Sequence, residues 1–406
     1  MQTYVPVPLN RVQPGRVLPV DLWTPDGRLL LRRGQSLQSD AHRDMLASHH
    51  AGMTQADALA WQRSLERLMR RMRANGASMS AIAQASMPED ILDTDYLEGH
   101  AIDGGWLDLQ EILRGLLYQG AGATDPLARL QGLQDKALML LRRDPDQALF
   151  VLLQALPDLP LGYCATHALL AGALAALGAE KLALPEHSAA TLLRASMMMN
   201  IGMARPQDSL SRQRHPPDAQ QRQIIAAHPP TSADILRGFG LADDELLHLV
   251  QWHHNPERAD LPEPALQRLH MLHLADTLVA RMAPRASRAA MLPIGATKAL
   301  LLQDSQASLD ARQALAAVLG FYPPGSFVQL VNGEVAVVIK RGARAHTPHL
   351  ASIMSASGMP LSTYVYHDSA YPRSPDHAIR APVPAHSVNI RVSQDKVQRL
   401  RQQHGI

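Results

Sequence analysis

Histidine supplies most of the chemistry this sequence could perform. His167, His228, His253 and His254, with Asn200 and Asp276, fall between positions 167 and 276. Imidazoles and carboxylates are ligands for zinc and ferrous iron, and a divalent ion with an open position promotes hydrolysis of phosphate esters. Taken singly, each residue has a plainer reading. His167 lies in YCATHALLAGALAALG, a run apolar on nearly every face, where a lone histidine is more often a core residue than a ligand. His228 opens HPPTSADIL, which reads as a helix start, and His253 and His254 end DDELLHLVQWHH, where a helix gives out. Asp276 closes LHMLHLAD on another apolar helix. Four histidines and a carboxylate at buried or terminal positions of one helical region form a pattern that the single readings do not explain.

Other residues of these types carry less. His273 stands one helical turn before Asp276, on the same side of its helix. It could replace a ligand, but it reads better as a packing residue, and His270 is weaker still. His346, His349, His367, His377 and His386 have no ligand spacing. Cys164, the one cysteine, sits in an apolar run and reads as a small buried hydrophobe. A single thiol builds no disulfide framework, which favours a reducing compartment.

The elements that would position these residues are mainly helical. Residues 1–52 read as a small β-rich module, with two apolar runs joined at Pro25-Asp26-Gly27. Residues 53–105 read as an amphipathic helix, with Trp61, Leu65, Leu68, Met69 and Met72 on one face, followed by an acidic linker. Residues 106–320 are helical throughout, with breaks expected at Pro157 and Pro160, Pro206, Pro216-Pro217 and Pro284. Residues 321–367 carry a β-hairpin signal at Asn332-Gly333 between alternating apolar runs. The tail, 368–406, is rich in proline, serine and histidine and is expected to be loose until a last basic helical turn. The fold class is therefore mainly α, an all-helical domain flanked by small β segments.

Composition removes several functions. The net charge is +2, and only five of the 39 basic residues are lysines. Aromatic residues make up 4% of the chain. No basic stripe or stacking platform for nucleic acid follows from this. No uninterrupted apolar run reaches the ~18 residues of a membrane span, so the chain is expected to be cytoplasmic.

The order and spacing of YCATHALLAGALAALG, MNIGM, AAHPPTSADIL, QWHHNPERAD and HLAD resemble the HD-GYP family, bacterial phosphodiesterases of cyclic di-GMP. The resemblance runs from about Leu141 to Gly342 and includes the segment YPPGSFVQLVNGEVAVVI. It implies two metal positions, one at residues matching His167, Met199, Asn200 and Asp276, the other at Asn200, His228, His253 and His254. The departures bear on both. Met199 and Asn200 stand where the family has its His-Asp pair, Met203 replaces a lysine, and LPEPALQRL follows where a Gly-Tyr-Pro loop would contact the dinucleotide. Two dications ~3.7 Å apart repel by roughly 18 kcal/mol at an effective dielectric of about 20. A bridging carboxylate offsets much of that repulsion, and a neutral asparagine does not. Met199 offers only a soft thioether.

Three expectations follow. The first is a degenerate HD-GYP-like signalling protein with no intact catalytic residue, acting by binding a protein partner or a nucleotide, with cyclic di-GMP and a second copy of the chain among the candidates. The second is a phosphohydrolase with an altered site: one zinc or iron at His228, His253 and His254, a remnant second position at His167 and Asp276, and Arg258 as a weak phosphate contact. The third is a helical module without metal. Unchanged thermal stability on adding a chelator would sink a structural metal.

Overall fold

The computed structural model describes residues 4–9, 12, 14–32 and 34–54, scattered positions between 57 and 85, and then residues 104–302, 308–372 and 374–406. The chain divides into two compact units, Met1–His100 and Ala101–Ile406. Most of the acidic linker expected at the end of 53–105 lies outside the described residues.

In the first unit, β1 (Tyr4–Pro6), β2 (Leu22–Trp23), β3 (Leu29–Leu31) and β4 (Gly52–Thr54) form an antiparallel sheet in the order β1-β4-β2-β3. Helix α1 (Asp40–Ser48) leads into β4. The Pro25-Asp26-Gly27 turn forms as expected: Gly27 takes φ of 89°, and its N–H donates to the Thr24 carbonyl. The described positions between 57 and 72 are helical, and Trp61 is buried in this unit's core. A short helix, α2 (Met79–Ala83), follows.

The second unit opens with α3 (Trp106–Gln119), α4 (Pro126–Arg143), α5 (Pro145–Ala155) and α6 (Tyr163–Lys181), then α7 (His187–Met198) and α8 (Ala204–Arg212). It continues through α9 (Ala219–Gly238), α10 (Asp244–Trp252), α11 (Glu263–Met282), α12 (Pro293–Leu301) and α13 (Leu309–Leu319). Helix α6 is the axis, buried from Tyr163 to Ala179 and packed against α5, α7, α11 and α13. Its small residues permit that. A Cβ on Gly172 would meet Ser196 and Leu193 of α7 at 3.1 and 3.2 Å, and one on Gly178 would meet Met271 Sδ of α11 at 2.5 Å. No described helix is long and apolar enough to cross a membrane.

Two local readings change. Pro206 does not break a helix but lies in the first turn of α8, where its missing N–H has no partner to lose. His228 does not start a helix: α9 begins at Ala219, capped by Asp218, and carries Pro229 and Pro230 in its interior.

After the helices come β5 (Phe327–Leu330), β6 (Val335–Lys340), β7 (His349–Met354), β8 (Pro360–Asp368) and β9 (Ile379–Val383), an antiparallel sheet in the order β8-β7-β6-β5-β9. Gly333 takes φ of 88° in the turn between β5 and β6, as the Asn-Gly pair predicts. The hairpin is thus the centre of a larger sheet. The tail, expected to be loose, carries regular elements among its described residues. It supplies β9, which pairs with β5, and α14 (Gln394–Gln403), which buries Val397 and Leu400. Alternation along β6 explains why the sheet belongs to the helical unit: Val337 and Ile339 join the helical core, while Ala336 and Val338 form a second cluster on the other face.

Candidate metal centre

Asp218 fixes the register of α9. Its carboxylate accepts from the Gln221 N–H at 2.8 Å, and Gln221 Oε1 accepts from the Asp218 N–H at 3.0 Å. This capping box is written in the sequence as Asp-x-x-Gln and could have corrected the helix start. His228 is therefore mid-helix, immediately before Pro229. A proline has no N–H, so the carbonyl four residues earlier, Ile225, loses its helical donor. His228 Nδ1 takes that carbonyl at 2.5 Å.

His253 repeats the arrangement at a helix end. Helix α10 closes at Trp252, where the last carbonyls lack intrahelical partners. His253 Nδ1 bonds the Val250 carbonyl at 2.7 Å. His253's own carbonyl accepts from His273 Nδ1 at 2.7 Å. His273 is accordingly a support for the turn, the packing role expected of it, through a hydrogen bond that spacing alone does not reveal.

A carbonyl only accepts, so both Nδ1 atoms carry the proton and both Nε2 atoms are bare in the neutral rings. These two Nε2 atoms lie 3.3 Å apart. Two lone pairs at that distance need a cation or a proton between them. Burial disfavours the proton, lowering the pKa of His228 to about 4 and that of His253 to about 3. Ligands about 2.0–2.1 Å from a tetrahedral zinc would be about 3.3 Å apart, so the spacing suits one ion. His254 completes the group: the ligand atoms of His228, His253 and His254 all lie within 4.8 Å of one another. His228 and His253 are buried, whereas the His254 side chain is 39% exposed. Burial lowers the His254 pKa as well.

His167 and Asp276 also meet, on α6 and α11, but they bond directly. His167 Nε2 and Asp276 Oδ1 are 2.7 Å apart, and Tyr163 Oη lies 3.0 Å from His167 Nδ1. With Nε2–H donating to the carboxylate, the Tyr163 hydroxyl donates to Nδ1, and neither imidazole nitrogen is free. Burial alone would raise the Asp276 pKa, but the His167 hydrogen bond and the nearby imidazoles outweigh it and hold the carboxyl below the usual range. His254 Nδ1 stands 3.6 Å from Asp276 Oδ2, linking the two halves.

The stretch Met199–Met203 is the junction between α7 and α8, with a 3-10 turn over Ile201–Met203 in place of a continuous helix. Gly202 lies against α9 at the site: a Cβ there would meet the His228 carbonyl oxygen at 3.0 Å and the Ser232 nitrogen at 3.1 Å. Met199 and Met203 are buried. Asn200 is 2% exposed, and its Oδ1 has no hydrogen-bond partner among the described residues. An unpaired buried acceptor costs about 1–3 kcal/mol, and this atom is of the kind a metal ion would satisfy. Arg258 is exposed on the Pro256–Arg258 turn, four residues past His254.

Asp208 was not apparent from the sequence as part of this architecture. Gly162, which precedes α6, has no side chain to cap it. Asp208 of α8 does so instead, accepting from the Cys164 N–H at 2.6 Å and from the Tyr118 hydroxyl at 2.5 Å. It thereby anchors the helix that carries His167.

Residues 164–281 match the family model for the HD domain. That span contains every histidine of the site together with Asp276, and HD domains are typically metal-dependent. No curated protein matches the chain. Among solved structures, Bd1817, an HDG"Y"P protein from Bdellovibrio bacteriovorus, aligns with a TM-score of 0.39 and 12% identity, covering 77% of this chain and 98% of that one.

Proposed function

We propose that this is a degenerate HD-GYP-like signalling protein with a mononuclear centre. One zinc or ferrous ion is held by His228, His253 and His254, and the second metal position has given way to the His167–Asp276 hydrogen bond. The protein acts by binding a nucleotide, with cyclic di-GMP the first candidate, or a protein partner, and does not cleave cyclic di-GMP. The pair of bare Nε2 atoms 3.3 Å apart supports the metal most directly. The neutral side chain of Asn200 argues against a second ion, because no carboxylate is there to offset the repulsion between two dications.

The test is metal content by plasma mass spectrometry on untagged protein purified without chelator, together with the triple change of His228, His253 and His254 to alanine. The expected result is close to one zinc or iron per chain, lost in the triple variant, with no turnover of cyclic di-GMP by either protein. No metal in either protein would refute the mononuclear reading and leave a metal-free scaffold.

A second reading is favoured by one observation, the exposure of His254. An ion open to solvent on that side would supply Lewis acidity to an entering phosphodiester. Turnover of bis(p-nitrophenyl) phosphate that disappears in the triple variant would select this reading.

A further inference from the structure

A cavity of about 590 Å³ lies in the second unit between the helices and the C-terminal sheet. Its wall is formed by Val151 and Leu153 of α5, Met282 at the end of α11, Phe327 of β5, and Val388 and Ile390 beyond β9. Protein interiors are packed to the density of organic crystals, and a space of this size falls within the range of small-molecule sites, about 300–1,000 Å³. None of the histidines of the metal centre lines it.

The polar groups of the wall restrict what could enter. Gln154 is committed, its Nε2 donating to the Gly325 carbonyl at 2.5 Å. His386 and Arg391 come from a single segment and are both exposed. Arg391 has no side-chain hydrogen bond or ion pair among the described residues. Asp158 is also in the lining but makes no ion pair with Arg391 among the described residues, so the lining carries one positive and one negative group with the guanidinium unpaired. That balance disfavours multiply charged ligands such as phosphates. A wall that is apolar in its larger part, with one unpaired guanidinium at an exposed edge, suits a long apolar body with one negative end.

We infer that this cavity is a binding site for a monoanionic amphiphile, an acyl carboxylate, with its chain among Leu153, Met282, Phe327 and Val388 and its carboxylate toward Arg391. The site goes beyond the metal centre and does not depend on it.

The experiment is calorimetric titration of the full chain with dodecanoate, below its micellar concentration, with dodecanol as the uncharged control. Saturable binding of one dodecanoate per chain is expected. Val388→Trp, which fills the space, should abolish it while leaving the circular dichroism unchanged. Ala385→Trp, at an exposed position of the same lining, serves if Val388→Trp fails to fold. Arg391→Glu should weaken dodecanoate about tenfold or more and leave dodecanol unaffected. Absence of saturable binding would overturn the inference, as would binding that survives both tryptophan variants. Equal affinity for dodecanol and dodecanoate, unchanged by Arg391→Glu, would overturn the assigned ligand class.

Discussion

His228 and His253 point their Nε2 atoms at each other across 3.3 Å, and each has its Nδ1 hydrogen-bonded to a backbone carbonyl three residues earlier in its own helix. The backbone thus fixes the tautomers of both rings. In His228 the cause can be traced to one residue: Pro229 leaves the Ile225 carbonyl without its helical donor, and the imidazole takes the vacancy.

Replacing Pro229 with alanine restores a backbone N–H that competes for the Ile225 carbonyl. The helix should survive, since alanine is the best helix former. Zinc affinity should fall roughly 10–100-fold, the usual effect of losing an outer hydrogen bond to a ligand histidine. Competition titration with a chromophoric chelator measures this, and an unchanged affinity would sink the tautomer argument.

Restoring the missing pair, Met199→His with Asn200→Asp, should raise the bound metal from one to two ions per chain when manganese or iron is supplied. Without metal, the same variant buries an uncompensated carboxylate and should be less stable by several kcal/mol. Metal content and thermal midpoints, with and without manganese, check both halves. A stoichiometry that stays at one would mean that the His167–Asp276 bond keeps the second position closed.

The chelator-treated protein should be acid-sensitive. His228 titrates at about 4 and His253 at about 3 in the folded chain because of burial, whereas unfolded histidine titrates at about 6.5. Between these values the unfolded state holds more protons, so stability rises with pH. It is intact above about pH 6.5 and falls as the pH drops toward 4 and then 3, by an amount on the order of a few kcal/mol per ring. Urea midpoints at about pH 7 and about pH 5 should differ, and the difference should shrink in His253→Asn. Equal midpoints in the parent protein would contradict the burial argument.

Asp208→Ala removes the side chain that caps α6 and leaves the Cys164 N–H and the Tyr118 hydroxyl without their acceptor. A loss of about 1–3 kcal/mol is expected, read as a lower urea midpoint. Zinc content should persist, because His228, His253 and His254 lie on other elements. Loss of metal at unchanged stability would show that Asp208 belongs to the site itself.

Much of this architecture is legible in the sequence. The helical span and both turn signals follow from residue types and order, and the meeting of His228, His253 and His254 is what the resemblance to the HD-GYP family implies. The placement of His228 within α9 does not come from the prolines, which locally signal a boundary. It depends on a cap ten residues upstream. The tail misleads for a related reason: its prolines and serines read as loose chain, yet Ile379, Ala381 and Val383 find a partner in β5, a pairing across some fifty residues that local pattern cannot reveal. The committed state of His167 is likewise a tertiary fact, since its sequence neighbours do not indicate that Asp276 and Tyr163 will occupy both of its nitrogens.

The unequal exposure of the three histidines separates thermodynamics from kinetics. His228 and His253 are held by their backbone carbonyls whether or not an ion is bound, so in the proposed centre their share of the affinity would be set by the fold. His254, with a side chain 39% exposed, is the one of the three that water reaches. In the proposed centre, the rate at which an ion leaves would then depend on the exposed ligand, and zinc and iron would exchange from that side without the domain unfolding. Such a centre would take the metal that its surroundings offer, making the occupant a record of supply.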